Sequence, residues 1–353
     1  MGANESAEIQ VSFNHSNSFY FAGEQILGNI SFQSTHEKLV LDGIFLEFIG
    51  EIGFTTRETR RHHDKNGHTR TEHYTEYHRV PFITVCIPVV QPQYGQRDIT
   101  LYRGQYSWPF EFLLPQCLPP SSVPSTIEFP YVKYSIRIVL DKPWYKLNKK
   151  QTYPLTIFPR VNLYQIQPAQ QPVPFTQSNR KKIQLNGYLL QGGVVPGKSL
   201  SLQINLQNPK RIEIKRIEAT LIQHRQVARS HHAEIIFRMD LPDIREFSGA
   251  DFNRMFNLQI PSVYLAPTYT YMSQCCSPSL SINFTYELKL QVKVRGLFTD
   301  FTVSIPVIIG TEPTSDEQQL INSSVDMATP SAPVYDYDEP PPAYESVVTN
   351  LKE

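Results

Sequence analysis

The chain is predicted to be all-β, two β-sandwich domains in tandem followed by a disordered C-terminal tail. Three observations carry this. Apolar residues alternate with polar ones in short runs, the two-residue period of half-buried strands. Four landmarks of the first half return in the same order in the second. The 28 prolines among 353 residues are spread along the chain, which suits short strands between turns, and no amphipathic helix of three turns stands out.

In chain order, the alternation begins with Ile9, Val11 and Phe13, continues through Ile26, Ile30 and Phe32, and runs on through Leu39, Leu41, Ile44, Leu46 and Phe48. Thr55 to His78 is polar on both faces and contains Asn66-Gly67, a pair suited to a tight type I′ turn, so a protruding hairpin is expected. Its histidines, His62, His63, His68, His73 and His78, come without a carboxylate or cysteine set at metal-ligand spacing. They read as a solvated polar hairpin, and no metal is predicted. Next come Tyr106 to Pro115 (YSWPFEFLLP), Leu118-Pro119-Pro120-Ser121, the alternating run Tyr131 to Leu140, and Leu155 to Pro159. Gln165 to Thr176 is rich in glutamine and proline and reads as a linker.

Beyond it the order repeats. Pro196 to Leu200 answers Ala22 to Ile26, and Phe256 to Pro261 answers Phe110 to Pro115. Phe284 to Leu290 answers Tyr131 to Arg137, and Val303 to Gly310 answers Leu155 to Pro159. The expected boundaries are residues 1–164 for the first sandwich, 165–179 for the linker, 180–311 for the second sandwich and 312–353 for the tail, with roughly seven strands in each sandwich by strand spacing.

Composition narrows the function. The 33 basic and 33 acidic residues cancel, so nothing in the overall charge favours a nucleic acid or a broadly anionic membrane, and only local patches matter. Lys149-Lys150 and Arg180-Lys181-Lys182 are such patches and read as solvated loops. Cys86, Cys117, Cys275 and Cys276 show no zinc-ligand spacing, which points to reduced thiols in the cytoplasm. No nucleophile-elbow, zinc-protease or phosphate-cradling signature is present, so no catalytic residue and no cofactor are predicted.

The tail carries the interaction signals. Thr329 to Val347 combines three consecutive prolines with the acidic residues Asp336, Asp338 and Glu339, too little apolar surface to offset the entropy of ordering. Within it, Pro341-Pro342-Ala343-Tyr344 is a Pro-Pro-x-Tyr ligand for WW domains, whose aromatic grooves accept a preformed polyproline II segment, with Tyr344 as the anchor. Pro330-Ser331-Ala332-Pro333 is a Pro-Ser/Thr-Ala-Pro docking sequence. Asp316, Leu320 and Ile321 fit an acidic dileucine sorting signal, and Tyr344 to Val347 fits a tyrosine-based one, both read by clathrin adaptors. Gly2 followed by Ser6 fits the N-myristoylation pattern, although Glu5 and Glu8 supply no basic second signal.

Gly23-Glu24 with Gly28, the Trp108-Pro109-Phe110 segment ending in Leu118-Pro119-Pro120-Ser121, Tyr131 to Trp144, Ile305 to Gly310 and the tail together resemble the α-arrestin, or arrestin domain-containing, family, and in particular its type-1 members, which carry both tail motifs. The resemblance covers Ile9 to Tyr344. It implies two arrestin-like sandwiches and an adaptor, peripheral at the plasma membrane and endosomes, that engages transmembrane cargo. Through Pro341, Pro342 and Tyr344 it would recruit WW-domain HECT-type ubiquitin ligases, and through Pro330 to Pro333 the ubiquitin-variant domain of ESCRT-I. Two departures stand out: one Pro-Pro-x-Tyr where several members carry two, and no basic pair in Ile9 to Phe13 for reading receptor phosphates. The alternative is a retromer-type sorting scaffold with the same double sandwich and no ligase recruitment.

Overall fold

A computed structural model describes residues 9–15, 17–63, 69–122, 128–273, 280–297 and 299–312. Residues 1–314 form one compact unit that holds both sandwiches.

The first sandwich is built from β1 (Ile9–Phe13), β2 (Phe19–Phe21), β3 (Gln25–Leu41), β4 (Gly43–His63), β5 (Thr69–Val90), β6 (Ile99–Leu113), β7 (Tyr131–Asp141) and β8 (Lys149–Phe158). One sheet runs β1-β3-β6 and the other β2-β8-β7-β4-β5. Neighbours are antiparallel except β2 and β8, which are parallel. Alternation places Ile26, Ile30, Leu41, Ile44, Leu46, Phe48, Ile136 and Ile138 between the sheets, each at most 1% exposed.

The second sandwich holds β9 (Val173–Ser178), β10 (Gln184–Leu189), β11 (Gly193–Val194), β12 (Ser199–Gln207), β13 (Ile214–Val227), β14 (Ser230–Asp240), β15 (Asp251–Gln259), β16 (Tyr269–Ser273), β17 (Leu280–Val294) and β18 (Phe301–Ile309). Its sheets run β15-β12-β10-β9 and β11-β18-β17-β13-β14, with β16 added to β17. In β17 buried positions alternate with less buried ones from end to end, so one face is core and the other is not.

The repeat holds at the level of hydrogen bonds. Gly23 and Gly197 both adopt positive φ, +81° and +84°, a backbone that a side chain would strain. The Leu114 N–H donates to the Glu24 carbonyl and the Ile260 N–H to the Lys198 carbonyl, each at 2.9 Å. The same turn therefore closes the same strand pair twice, β3 on β6 and β12 on β15. The parallel pair recurs too, β2 on β8 and β11 on β18.

Two expectations need correction. Part of the stretch read as a linker is structure: a 3-10 turn at Leu163–Gln165, a four-residue helix at Gln167–Gln170, and β9, which pairs with β10 from Val173↔Leu189 to Ser178↔Gln184. Its glutamines lie at exposed edge positions while Phe175 enters the second core, a pattern too sparse to read as alternation. The strand count also exceeds seven, with eight strands in the first sandwich and ten in the second. The additions β2, β11 and β16 are five residues or fewer, below the length at which a period shows.

The protruding hairpin has the expected strands, β4 and β5 paired out to His63↔Thr69, while its Asn66-Gly67 turn lies outside the described residues. His78 bonds the Thr56 hydroxyl at 2.8 Å and stacks on Phe54, and His73 bonds Thr59 at 3.2 Å. Among the described residues, no three histidine, cysteine, aspartate or glutamate side chains gather as a ligand set.

Candidate functional site

The described feature that joins the two domains is the seam between the sandwiches. Val227, Leu280, Ile282 and Phe284 of the second sandwich belong to the core of the first, with Tyr271 and Ala228 packed against it. The strand ends that carry them project past their own core, so the alternating apolar face of β13 and β17 continues into the neighbouring domain. Phe82 meets Tyr271 edge-on, ring centroids 6.0 Å apart.

Polar contacts line the same boundary. Asn17 donates its amide to the Tyr264 hydroxyl at 3.0 Å, the hydroxyls of Thr55 and Ser230 lie 3.1 Å apart, and His232 Nε2 sits 3.1 Å from Glu128 Oε2. Between the domains lies a cavity of about 540 Å³, walled by Thr156 and Phe158 on one side and by Gln223, Ile235, Ile236 and Leu265 on the other.

Arg225 is the least expected residue of the seam. It is 1% exposed, and none of its three guanidinium nitrogens has a hydrogen-bond partner. The nearest printed carboxylate oxygen, Glu234 Oε2, is 3.9 Å from Nη1. Burial pulls its pKa down, and the charges of Glu234 and Glu128 offset part of that pull. Beside it Gln223 donates to the Tyr286 hydroxyl, which donates in turn to the Ala266 carbonyl.

The end of the described body is pinned to the connector between the domains. The Thr311 N–H donates to the Val161 carbonyl at 2.9 Å, and the Val161 N–H donates to the Thr311 hydroxyl at 2.8 Å. Arg160 bridges Glu24 of the first sandwich (2.6 Å) and Glu312 after the last strand (3.3 Å), with its guanidinium carbon 4.5 Å from the Phe21 ring centroid. Glu24 also accepts the Phe21 N–H at 2.8 Å, so the Gly23-Glu24 landmark serves as both a turn and an ion-pair anchor.

The arrestin N-terminal domain family model matches residues 9–164 and the arrestin C-terminal domain model residues 179–314. The chain belongs to the arrestin family. Its relatives include arrestin domain-containing protein 17 of Caenorhabditis elegans, 22% identical over 96% of this chain and 79% of that protein. Arrestin domain-containing protein 1 of Homo sapiens is 25% identical, and that of Rattus norvegicus 23% identical, each over 60% of this chain and 47% of the relative. This arrestin-family chain thus aligns with about half the length of those two mammalian relatives.

In this arrestin body the landmarks acquire physical roles. The Leu118-Pro119-Pro120-Ser121 segment crosses the ends of β7 and β8, where the Ser121 hydroxyl accepts the Ile157 N–H at 2.8 Å and Ser122 accepts that of Val132 at 3.0 Å. The Tyr134 hydroxyl donates to the Pro119 carbonyl at 2.6 Å. Trp108 stacks between Tyr106 and Phe32, 5.7 and 6.5 Å between centroids.

The docking residues read from the sequence, Pro341, Pro342, Tyr344, Pro330, Ser331, Ala332, Pro333, Asp316, Leu320, Ile321 and Gly2, all lie outside the described residues. Cys86 and Cys117 are exposed, and burial followed by the Glu47 charge pushes the Cys86 thiol up, away from the reactive thiolate. No helix among the described residues is long and apolar enough to cross a membrane.

Proposed function

We propose that this arrestin-family chain is a non-enzymatic adaptor linking transmembrane cargo to WW-domain HECT-type ubiquitin ligases, acting in the cytoplasm and peripherally at the plasma membrane and endosomes. The observation that carries the reading is Pro341-Pro342-Ala343-Tyr344 in an acidic, proline-rich stretch that follows a complete pair of arrestin domains. Consecutive prolines enter an aromatic-lined groove at little ordering cost, and the phenol ring supplies the anchoring area. The body's last described residue, Glu312, is fixed at the interdomain connector. Residues 313–340 could carry the ligand up to about 95 Å from that point at full extension, enough for a bound ligase to work beside captured cargo. Pro330 to Pro333 gives the same tail an ESCRT-I branch, and the sorting signals at Asp316, Leu320 and Ile321 suit a clathrin adaptor.

Titration of peptides spanning Pro333 to Val348 into a WW domain tests this. The unmodified peptide should bind and Tyr344→Ala should not. Phosphorylation of Tyr344 should weaken binding strongly, because about two negative charges would enter an apolar slot. Equal affinity for all three would remove the ligase-recruiting function and leave the sorting-scaffold alternative. Replacing Pro330 and Pro333 by alanine should abolish ESCRT-I capture while leaving WW binding intact.

A further inference from the structure

The end of the first sandwich remote from the seam carries an unusual loop. Between β7 and β8 the chain reads Lys142-Pro143-Trp144-Tyr145-Lys146-Leu147-Asn148 and then Lys149-Lys150. Trp144 is 94% exposed and Leu147 92%, and Tyr145 is also exposed. Isolated surface leucines are ordinary, but adjacent large apolar side chains left almost wholly in water are not.

The loop is also held in shape. The Lys142 N–H donates to the Asn148 side-chain carbonyl at 2.9 Å, the Asn148 amide donates to Asp141 Oδ1 at 2.6 Å, and the Lys146 N–H donates to the Pro143 carbonyl at 2.8 Å. Trp144 and Tyr145 meet edge-on at 5.9 Å, and the Lys146 ammonium lies 5.6 Å from the Tyr145 ring centroid. The display of these side chains is therefore part of the fold. Strand pairing places a second loop at the same end. Gly43 lies opposite Asp141 and Ile44 opposite Val90, so residues 91–98, with the exposed Tyr94 and the cation Arg97, emerge two strands away.

We propose that this tip is a membrane anchor that takes an anionic phospholipid surface, with Trp144, Tyr145 and Leu147 entering the headgroup and upper acyl region. Aromatic rings with one apolar and one polar edge partition to that depth, and lysines carry their ammonium groups back to the phosphates on flexible stems. Lys142, Lys146 and Lys150 surround the apolar cluster, none in an ion pair among the described residues, and Lys149 adds its charge. The opposing carboxylates are Asp42, Asp98 and Asp141, and Asp141 accepts the bond from Asn148. A protein partner would need a socket for a cluster that stands clear of the body on every side, whereas a bilayer supplies apolar depth and surrounding negative charge together. The inference rests on the adaptor reading only in that an adaptor for membrane cargo works at a bilayer.

The test uses the full chain with vesicles of phosphatidylcholine, alone or mixed with phosphatidylserine. The protein should float with the mixed vesicles, less so at high salt and much less with phosphatidylcholine alone. Trp144 emission should shift to the blue and be quenched by brominated lipid. The chain has 2 tryptophans, so a Trp144→Ala chain supplies the Trp108 background. Replacing Trp144 and Leu147 together by alanine should lower partitioning by about tenfold or more. Lys142→Glu with Lys146→Glu should abolish the preference for phosphatidylserine. Thermal unfolding of each variant should match the parent, since these side chains bury little. No flotation on anionic vesicles, an unshifted emission, or a double variant that binds as well as the parent would overturn the proposal, and a soluble protein captured through the loop without any vesicle binding would do the same. WW binding measured on the same variants should be unchanged, so failure of the anchor and failure of ligase recruitment are separately visible.

Discussion

Phe19 of the first sandwich stacks on Tyr264 of the second, with ring centroids 5.0 Å apart and planes 27° from parallel. Phe19 also meets Phe21 and Phe158 edge-on, at 5.1 and 5.3 Å, so one ring on the short strand β2 ties the edge of its own sheet to the neighbouring domain. Tyr264→Ala would remove that stack and the Asn17 hydrogen bond. Stability should fall by about 1 kcal/mol, as for a partly exposed aromatic pair, and amide exchange should quicken at Phe19 to Phe21 before the core strands respond. Unchanged exchange there would mean that the stack does not hold β2.

Gly28 lies where β1, β3 and Phe110 converge, and a Cβ built on it would stand 2.6 Å from the Ser12 carbonyl oxygen, a backbone atom that cannot swing away. Gly28→Ala should destabilise the protein by about 1–3 kcal/mol through overpacking. Gly104→Ala on β6, where nothing lies within 4 Å, should be neutral or slightly stabilising. Urea midpoints of the two variants decide it.

Tyr134 and Tyr286 are equivalent across the repeat. Each is the first residue by which its strand pairs with the next, Tyr134↔Leu155 and Tyr286↔Val307, and each donates its hydroxyl to a carbonyl of the preceding segment, at Pro119 and Ala266. Changing either to phenylalanine should lower stability by about 1–3 kcal/mol, with the larger loss at Tyr286, where the Gln223 amide is orphaned as well. Burial raises both phenols above their ordinary pKa of 10.0, and burial followed by the Glu51 hydrogen bond raises Tyr131 to about 12. A group whose folded pKa is raised contributes its full stability below the unfolded value and loses it as pH climbs toward the folded one. The urea midpoint should therefore decline between pH 10 and 12 for the parent protein, and less steeply for Tyr131→Phe.

Arg225 is buried without a hydrogen bond, so replacing it by methionine, of comparable length and without charge, should leave stability unchanged or raise it by about 1–4 kcal/mol. Glu234→Ala should lower stability by about 1 kcal/mol, because the guanidinium would stay buried without its nearest carboxylate. Thermal melts of both variants check the pair. A marked loss with methionine would show that Arg225 makes stabilising contacts in solution.

Much of this was legible in the chain because strand burial has a period of two and turn chemistry is local. The alternation of β7, β12 and β17, the Gly23 and Gly197 turns, and the order of the four landmarks are all written in neighbouring residues. The docking motifs are legible for the same reason, each being a contiguous tetrapeptide. What local pattern could not supply was pairing between distant segments. Phe175 looks like one apolar residue among glutamines until β10 lies beside it, and Phe19 looks like part of a turn until Tyr264 stacks on it. Arg225 reads as a surface arginine in an alternating strand, since burial at the seam follows from where the whole second sandwich sits and not from its neighbours in sequence. Likewise Trp144 and Leu147 read as core candidates by composition, and only the tertiary fold, by filling its two cores with other side chains, leaves them in water.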